Sequence, residues 1–235
     1  SMIDPKRFEE DIPPRVSLFV IRQIADALDV AYNRPSTVTG QALKVLHRDI
    51  KPGNVRITPD GEVKVLDFGI ARSDHMDREA QTQEYQLGSL PYMAPELLEG
   101  KGASPASDVY SLGVTFYETL GRKRFGWAGE TEELHTGQLE TRMAQLDLKA
   151  FEPVTEEVMA LLGEMLAFDP EVRPSTKEIA VRCRELDRNI KGLSLEEWAP
   201  DAVEKVNEAD PGEDGELTGK TLYEEVTLSH DATAG

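Results

Sequence analysis

Residues 47–69 read HRDIKPGNVRITPDGEVKVLDFG, and the middle of this stretch leaves the backbone few choices. Val55–Thr58 and Glu62–Leu66 are short runs of strand formers, separated by Pro59-Asp60-Gly61. Proline presets the φ that a turn requires, and Asp and Gly tolerate the positive φ of a tight reversal. The pattern predicts a β hairpin that returns the chain beside its own start. Asn54 then lies at the mouth of the hairpin and Asp67 at its far end, so that the fold-back aims an amide and a carboxylate at one point.

Helical periodicity dominates the remainder. Pro13-Pro14 opens a helix expected over Ile12 to Asn33, with Val16, Val20, Ile24 and Leu28 recurring on one face. Val109, Leu112, Phe116 and Leu120 share a second face, and Val158, Leu161, Leu162 and Met165 a third. Ser175 followed by Glu178 is a capping box, opening a helix with Ile179, Cys183, Leu186 and Ile190 inward. Residues 33–43, NRPSTVTGQAL, are turn formers and predict a loop. Residues 70–92 are polar and aperiodic, which predicts a long loop of the kind that usually serves function. The expected fold class is mainly α with one small β hairpin near its front, and no internal repeat is present.

His47-Arg48-Asp49 alone says little. The informative feature is an ordered set: H-R-D-x-x-x-x-N ending at Asn54, then Asp67-Phe68-Gly69, then Ala94-Pro95-Glu96. An amide oxygen and a carboxylate converging at a hairpin mouth suit a hard magnesium ion whose shell is completed by phosphates. Asp49 is placed to orient and deprotonate an attacking hydroxyl, and Lys51 to face a transferring phosphoryl group. Singly, Asp49 reads equally well as a loop cap, Asp67 as a turn acid and Arg173 as surface charge; their order and spacing are what carry the reading.

On these residues the chain, from about 12 to 192, resembles the C-terminal large lobe of the eukaryotic-like (Hanks-type) serine/threonine protein kinases, and HRDIKPGN with Lys51 resembles their serine/threonine branch. The resemblance implies a truncated α+β protein-kinase-like fold, ATP as phosphoryl donor, Mg2+, and a protein substrate presenting Ser or Thr. By matching position, Asp49 is implied as catalytic base, Lys51 as phosphate-contacting lysine, and Asn54 and Asp67 as magnesium ligands. His47, Phe68 and Gly69 are implied as structural. SDVYSLGV resembles a central buried helix whose Asp108 braces the catalytic loop, and DPEVRPS a segment whose Arg173 pairs with Glu96. Asp67 to Glu96 resembles an activation segment, with Arg48 as partner for an added phosphate. Ser73, Thr82, Tyr85 and Ser89 are the candidate regulatory positions. Thr82 is preferred, whereas Ser89 stands where a structural hydroxyl contacts the catalytic Asp and Lys. GSLPYMAPE is implied as the floor that receives the residue after the substrate hydroxyl.

The family holds ATP beneath a G-x-G-x-x-G loop with a strand lysine, and neither motif is in this sequence. Gly100 and Gly102 give G-x-G, but position 105 is Pro105. GELTGKT at 215–221 imitates a phosphate-binding loop, yet Asp214 stands where its first glycine belongs and no apolar strand leads in. The expectation is that the N-terminal lobe is absent from this chain, that the chain alone binds ATP-magnesium weakly and transfers phosphate poorly, and that its inter-lobe face drives self-association. The alternative is a non-catalytic module, a substrate-docking lobe or pseudokinase-like scaffold. Retention of Asp49, Asn54 and Asp67 favours a catalytic parent.

Charge sets the remaining bounds. The net charge of −18 argues against nucleic acid or an anionic membrane as partner, and no run approaches the roughly 18 apolar residues of a membrane span. Cys183 is the only cysteine, which excludes an internal disulfide and suits a reducing, cytoplasmic setting. Leu193 to Gly235 holds twelve acids against Lys205 and Lys220, a net of −10, and predicts an acidic, solvated tail from 193 to 235. Within it Leu193–Trp198 is the one apolar point, expected to dock back on the lobe. Ser1-Met2 reads as a cloning remnant, making 1–11 a lead-in. The long spacer at 33–43 and the acidic tail suggest a bacterial relative, with any membrane anchor lying beyond residue 235.

Overall fold

A computed structural model of the chain describes residues 11–68 and 88–209. Within them the helices are α1 (Pro14–Asn33), α2 (Pro95–Leu98), α3 (Pro105–Gly121), α4 (Glu132–Met143), α5 (Thr155–Met165), α6 (Thr176–Asn189) and α7 (Leu195–Ala209), with strands β1 (Val55–Ile57) and β2 (Val63–Val65) between α1 and α2. Short 3-10 turns at Pro52–Asn54 and Leu90–Tyr92 flank the segment that carries the chemistry.

The predicted hairpin is present and antiparallel, pairing Val55 with Val65, Arg56 with Lys64 and Ile57 with Val63. Its strands are a residue or two shorter than the β-prone runs, because Thr58 and Glu62 are used in the turn. The Thr58 N–H donates to the Glu62 carbonyl (2.9 Å), and the Gly61 N–H to the Thr58 carbonyl (3.0 Å). Gly61 has φ +76°, a left-handed conformation that only glycine adopts at little cost.

α3 is the axis of the domain. Every residue from Ser107 to Thr119 is buried, so the helix is surrounded on all sides. Its polar members satisfy themselves along its length: the hydroxyls of Thr115 and Thr119 donate to the carbonyls of Ser111 and Thr115 at 2.9 and 2.8 Å. Gly113 permits close packing of α5, since a Cβ there would lie 3.1 Å from Leu166 and Met165 side chains. α1 packs against α6 and α3 through Val16, Val20, Ile24 and Leu28, all buried as their spacing predicted, and begins at Pro14. The Ser175–Glu178 capping box at α6 is complete: the Ser175 N–H donates to Glu178 Oε2 (2.8 Å), and the Glu178 N–H to Ser175 Oγ (3.2 Å).

One sequence expectation needs adjusting, and two features had no forecast. The 33–43 spacer is a loop closed by one antiparallel bridge between Pro35 and Ala42. Helix α4 carried no periodic signal, because it buries only His135. The folded part also continues past 192. α7 buries Leu195, Trp198, Ala199 and Ala202, an i, i+3, i+4, i+7 stripe that the count of acids averaged away; of the apolar point Leu193–Trp198, the part from Leu195 opens this docked helix, whereas Leu193 is half-exposed. Residues 210–235 lie outside the described residues. Among the described residues no helix is long and apolar enough to cross a membrane.

Candidate active site

Asp108, in the first turn of α3, accepts the His47 N–H on Oδ2 (2.8 Å) and the Arg48 N–H on Oδ1 (2.7 Å). These two bonds hold the chain where Arg48 adopts φ +65°, a conformation costly for a residue with a Cβ. Burial pushes the Asp108 pKa up, and the two backbone donors offset only part of that shift.

His47 connects this loop to the end of the hairpin. Its Nδ1 accepts the Asp49 N–H (3.3 Å), so Nε2 carries the hydrogen and donates to the Leu66 carbonyl (2.9 Å). The ring is fully buried and tilts against Phe68 with centroids 4.6 Å apart. Burial lowers its pKa, which keeps it neutral. The Leu66 N–H in turn donates to the Asn54 carbonyl (2.8 Å). The backbone at 66 is thus tied to both 47 and 54, and Asp67, exposed and at φ +57°, emerges directly beyond that tie.

Asp49 is the convergence point. Lys51 Nζ lies 2.9 Å from Asp49 Oδ2 and donates to Ser89 Oγ at the same distance. Asn54 Nδ2 donates to the Asp49 carbonyl (2.8 Å) and to Asp49 Oδ2 (3.0 Å). Burial alone would raise the Asp49 pKa; hydrogen bonds from Ser89, Lys51 and Asn54 outweigh it and hold the carboxyl below its ordinary value. Asp49 is therefore ionised near neutral pH. Asn54 Nδ2 is engaged by Asp49, so Oδ1 is the oxygen the amide would offer to a cation.

The donors fit magnesium of one kind. Among the described residues no group of three or more His, Cys, Asp or Glu is arranged to hold a metal. One amide oxygen and one carboxylate suit a hard cation that takes its remaining oxygens from phosphate and water.

Glu96 and Arg173 meet as the family resemblance implied, in a bidentate pair with both N···O distances 2.8 Å. Arg173 also donates to the carbonyls of Ala167 (2.8 Å), Ala106 (3.0 Å) and Phe168 (2.9 Å), engaging all five of its N–H groups, and lies over the Tyr110 ring. Burial would raise the Glu96 pKa, but the guanidinium holds it below the usual range.

Sequence reasoning missed the anchor of the 88–92 segment. The Tyr92 hydroxyl donates to Glu118 Oε2 (2.7 Å), Arg124 binds both Tyr92 and Glu118, and the Phe125 N–H donates to Glu118 Oε1 (3.1 Å). The Ser111 hydroxyl holds the Tyr92 carbonyl at 2.7 Å. A glutamate fully buried in α3 was the available signal, since such a residue requires partners. Gly69, Ser73, Thr82 and Tyr85 lie outside the described residues.

The sequence pattern described as "Protein kinase domain" matches residues 5–182. Over 111 residues the chain is 45% identical to Serine/threonine-protein kinase PknA of Mycobacterium tuberculosis H37Rv, covering 47% of this chain and 23% of that protein. Over 182 residues it is 36% identical to Serine/threonine-protein kinase A of Synechocystis, covering 72% and 33%. Over 172 residues it is 37% identical to Tyrosine-protein kinase MasK of Myxococcus xanthus, covering 71% and 25%. The chain matches a third or less of the length of each of these three relatives.

Proposed function

The chain belongs to the protein kinase domain family, and from that premise we propose that it supplies the large-lobe half of a serine/threonine kinase active site. The observation that carries this reading is the Asp49 carboxylate, held by Lys51, Asn54 and Ser89 beside the tie between Asn54 and Leu66. Asp49 orients the substrate hydroxyl and receives its proton as the oxygen bonds to phosphorus. Lys51, already bridging Asp49 and Ser89, turns its ammonium toward the phosphoryl oxygens. Asn54 and Asp67 would hold magnesium, which when bound offsets negative charge on the phosphates of ATP. The segment fixed through Tyr92 supports the substrate chain. Serine or threonine is favoured over tyrosine by Lys51 at this position, although a relative named as a tyrosine kinase is similar over much of the chain. Thr82 is the proposed regulatory phosphorylation position, with Arg48 as its partner.

Phosphoryl transfer depends on positioning and charge stabilisation more than on covalent help. The sequence contains neither a glycine-rich phosphate loop nor a V-A-I-K-like strand, so the proposed catalytic unit needs a second lobe, and the inter-lobe face is the proposed surface for self-association without it. Transfer of labelled phosphate from ATP to a serine-containing protein, compared between this chain and a longer protein with a glycine-rich small lobe before residue 1, tests the proposal. The longer protein is expected to be faster by about 10² or more, the order lost when one preorganised charge-stabilising group is removed. Equal rates would overturn the need for a second lobe.

A further inference from the structure

α7 lies wholly beyond the residues matched by the kinase family. We propose that it is a clamp on the hairpin that carries Asn54 and Asp67, positioning those two side chains from behind; the catalytic part of this inference rests on the kinase reading above.

A hairpin of two three-residue strands is marginal by itself, and it is the whole sheet among the described residues. Its base is fixed by the Leu66–Asn54 and His47–Leu66 bonds, and its flank by α1, which contacts β2. The turn at the other end is covered by α7. A Cβ at Gly61 would lie 3.2 Å from Glu196 Cα and 3.3 Å from Glu196 N, tighter than an ordinary contact, so the first turn of α7 leaves little room for a side chain at the hairpin turn. Glycine at 61 therefore serves both the turn and the docking of α7.

Docking of α7 is anchored at several points. Leu195, Trp198, Ala199 and Ala202 are buried, whereas Glu196, Glu197, Asp201 and Glu204 face solvent. The Glu197 N–H donates to Ser194 Oγ (3.3 Å), and the Ser194 N–H to Glu197 Oε2 (2.8 Å), a reciprocal cap that starts the helix at the hairpin. Arg15 of α1 donates to the Gly192 carbonyl (3.3 Å) and pairs with Asp187 (2.9 Å), fixing the link that leads into it. The strands are only three residues long, so release of the turn reaches the residues at the hairpin's mouth within one strand length.

The test uses the full chain with Trp127, half-exposed, changed to Phe, so that buried Trp198 is the only tryptophan and is excited selectively at the red edge of the absorption band. Ala199→Glu places a charge in the α7 seam. The Trp198 emission is expected to shift to the red, and the Gly61 and Leu66 amides to exchange with solvent about tenfold faster while amides within α3 keep their rates, as in a local opening. Gly61→Asn is the second variant: asparagine tolerates positive φ, so its effect comes from the Cβ pressed on Glu196, and the same two changes are expected in smaller measure. Helix release with unchanged hairpin exchange, in either variant, overturns the proposal, as does unchanged Trp198 emission in both. These readouts need no catalysis. In a protein that carries this chain after a glycine-rich small lobe, Ala199→Glu is expected to raise the magnesium requirement of phosphate transfer severalfold; absence of transfer in the unmodified form of that protein counts against the kinase reading and leaves the clamp to the exchange data.

Discussion

Arg173→Leu is expected to destabilise the fold by about 3–5 kcal/mol, the cost of leaving a buried partner charge uncompensated. The substitution strands the Glu96 carboxylate and removes the N–H donors from three carbonyls at once. Against a total stability of about 5–15 kcal/mol for an ordinary domain, this is a large fraction. Equilibrium denaturation in urea measures it. The surface pair Arg182–Glu164 provides the contrast, since both side chains are partly exposed and Arg182→Leu should cost about 0–1 kcal/mol. Equal costs for the two variants would contradict the account. The pair also sets an acid limit. Glu96 has a folded pKa below its ordinary 4.5, so its contribution is fully present above that value. It is lost as pH falls through the lower, folded pKa, and below that point the gap between wild type and Arg173→Leu should narrow to the share carried by the three carbonyls.

On the proposed kinase reading, Asp49→Asn is expected to slow phosphoryl transfer by a factor of about 10²–10⁴ in a protein that carries this chain after a glycine-rich small lobe, the range for removal of a positioned general base. The variant keeps the size of the side chain and loses its charge, so circular dichroism should remain that of the wild type. Lys51 then has Ser89 but no carboxylate opposite it. A rate within tenfold of wild type, with the fold intact, would assign Asp49 to loop structure alone.

The hairpin was legible because its determinants are local: Pro59-Asp60-Gly61 dictates the reversal whatever surrounds it. The Ser175–Glu178 box and the apolar faces of α1, α3 and α5 were legible for the same reason. The pairing of Glu96 with Arg173 and the bracing by Asp108 span 77 and 61 residues; no periodicity reports contacts of that range, and only the resemblance to a family anticipated them. α4 escaped notice because a helix that buries one side chain has no stripe to read. α7 escaped because its acids face solvent while its apolar stripe includes two alanines, residues that add little to any hydropathy count. The Tyr92–Glu118–Arg124 cluster depends on where the chain turns after Gly121, with Arg122 at φ +53°, and that geometry leaves no mark in the sequence.

The proposal that Asn54 and Asp67 share one magnesium ion is tested most directly by measuring phosphate transfer, as a function of magnesium concentration, in a protein that carries this chain after a glycine-rich small lobe. Wild type is compared with Asn54→Ala and Asp67→Asn, and with Lys64→Ala on the exposed face of the same hairpin. Both site variants are expected to need more magnesium and to lose about 100-fold in rate, consistent with several kcal/mol of metal-borne charge stabilisation, while Lys64→Ala matches wild type. Site variants that keep the wild-type rate and magnesium dependence would show that these two residues share no metal.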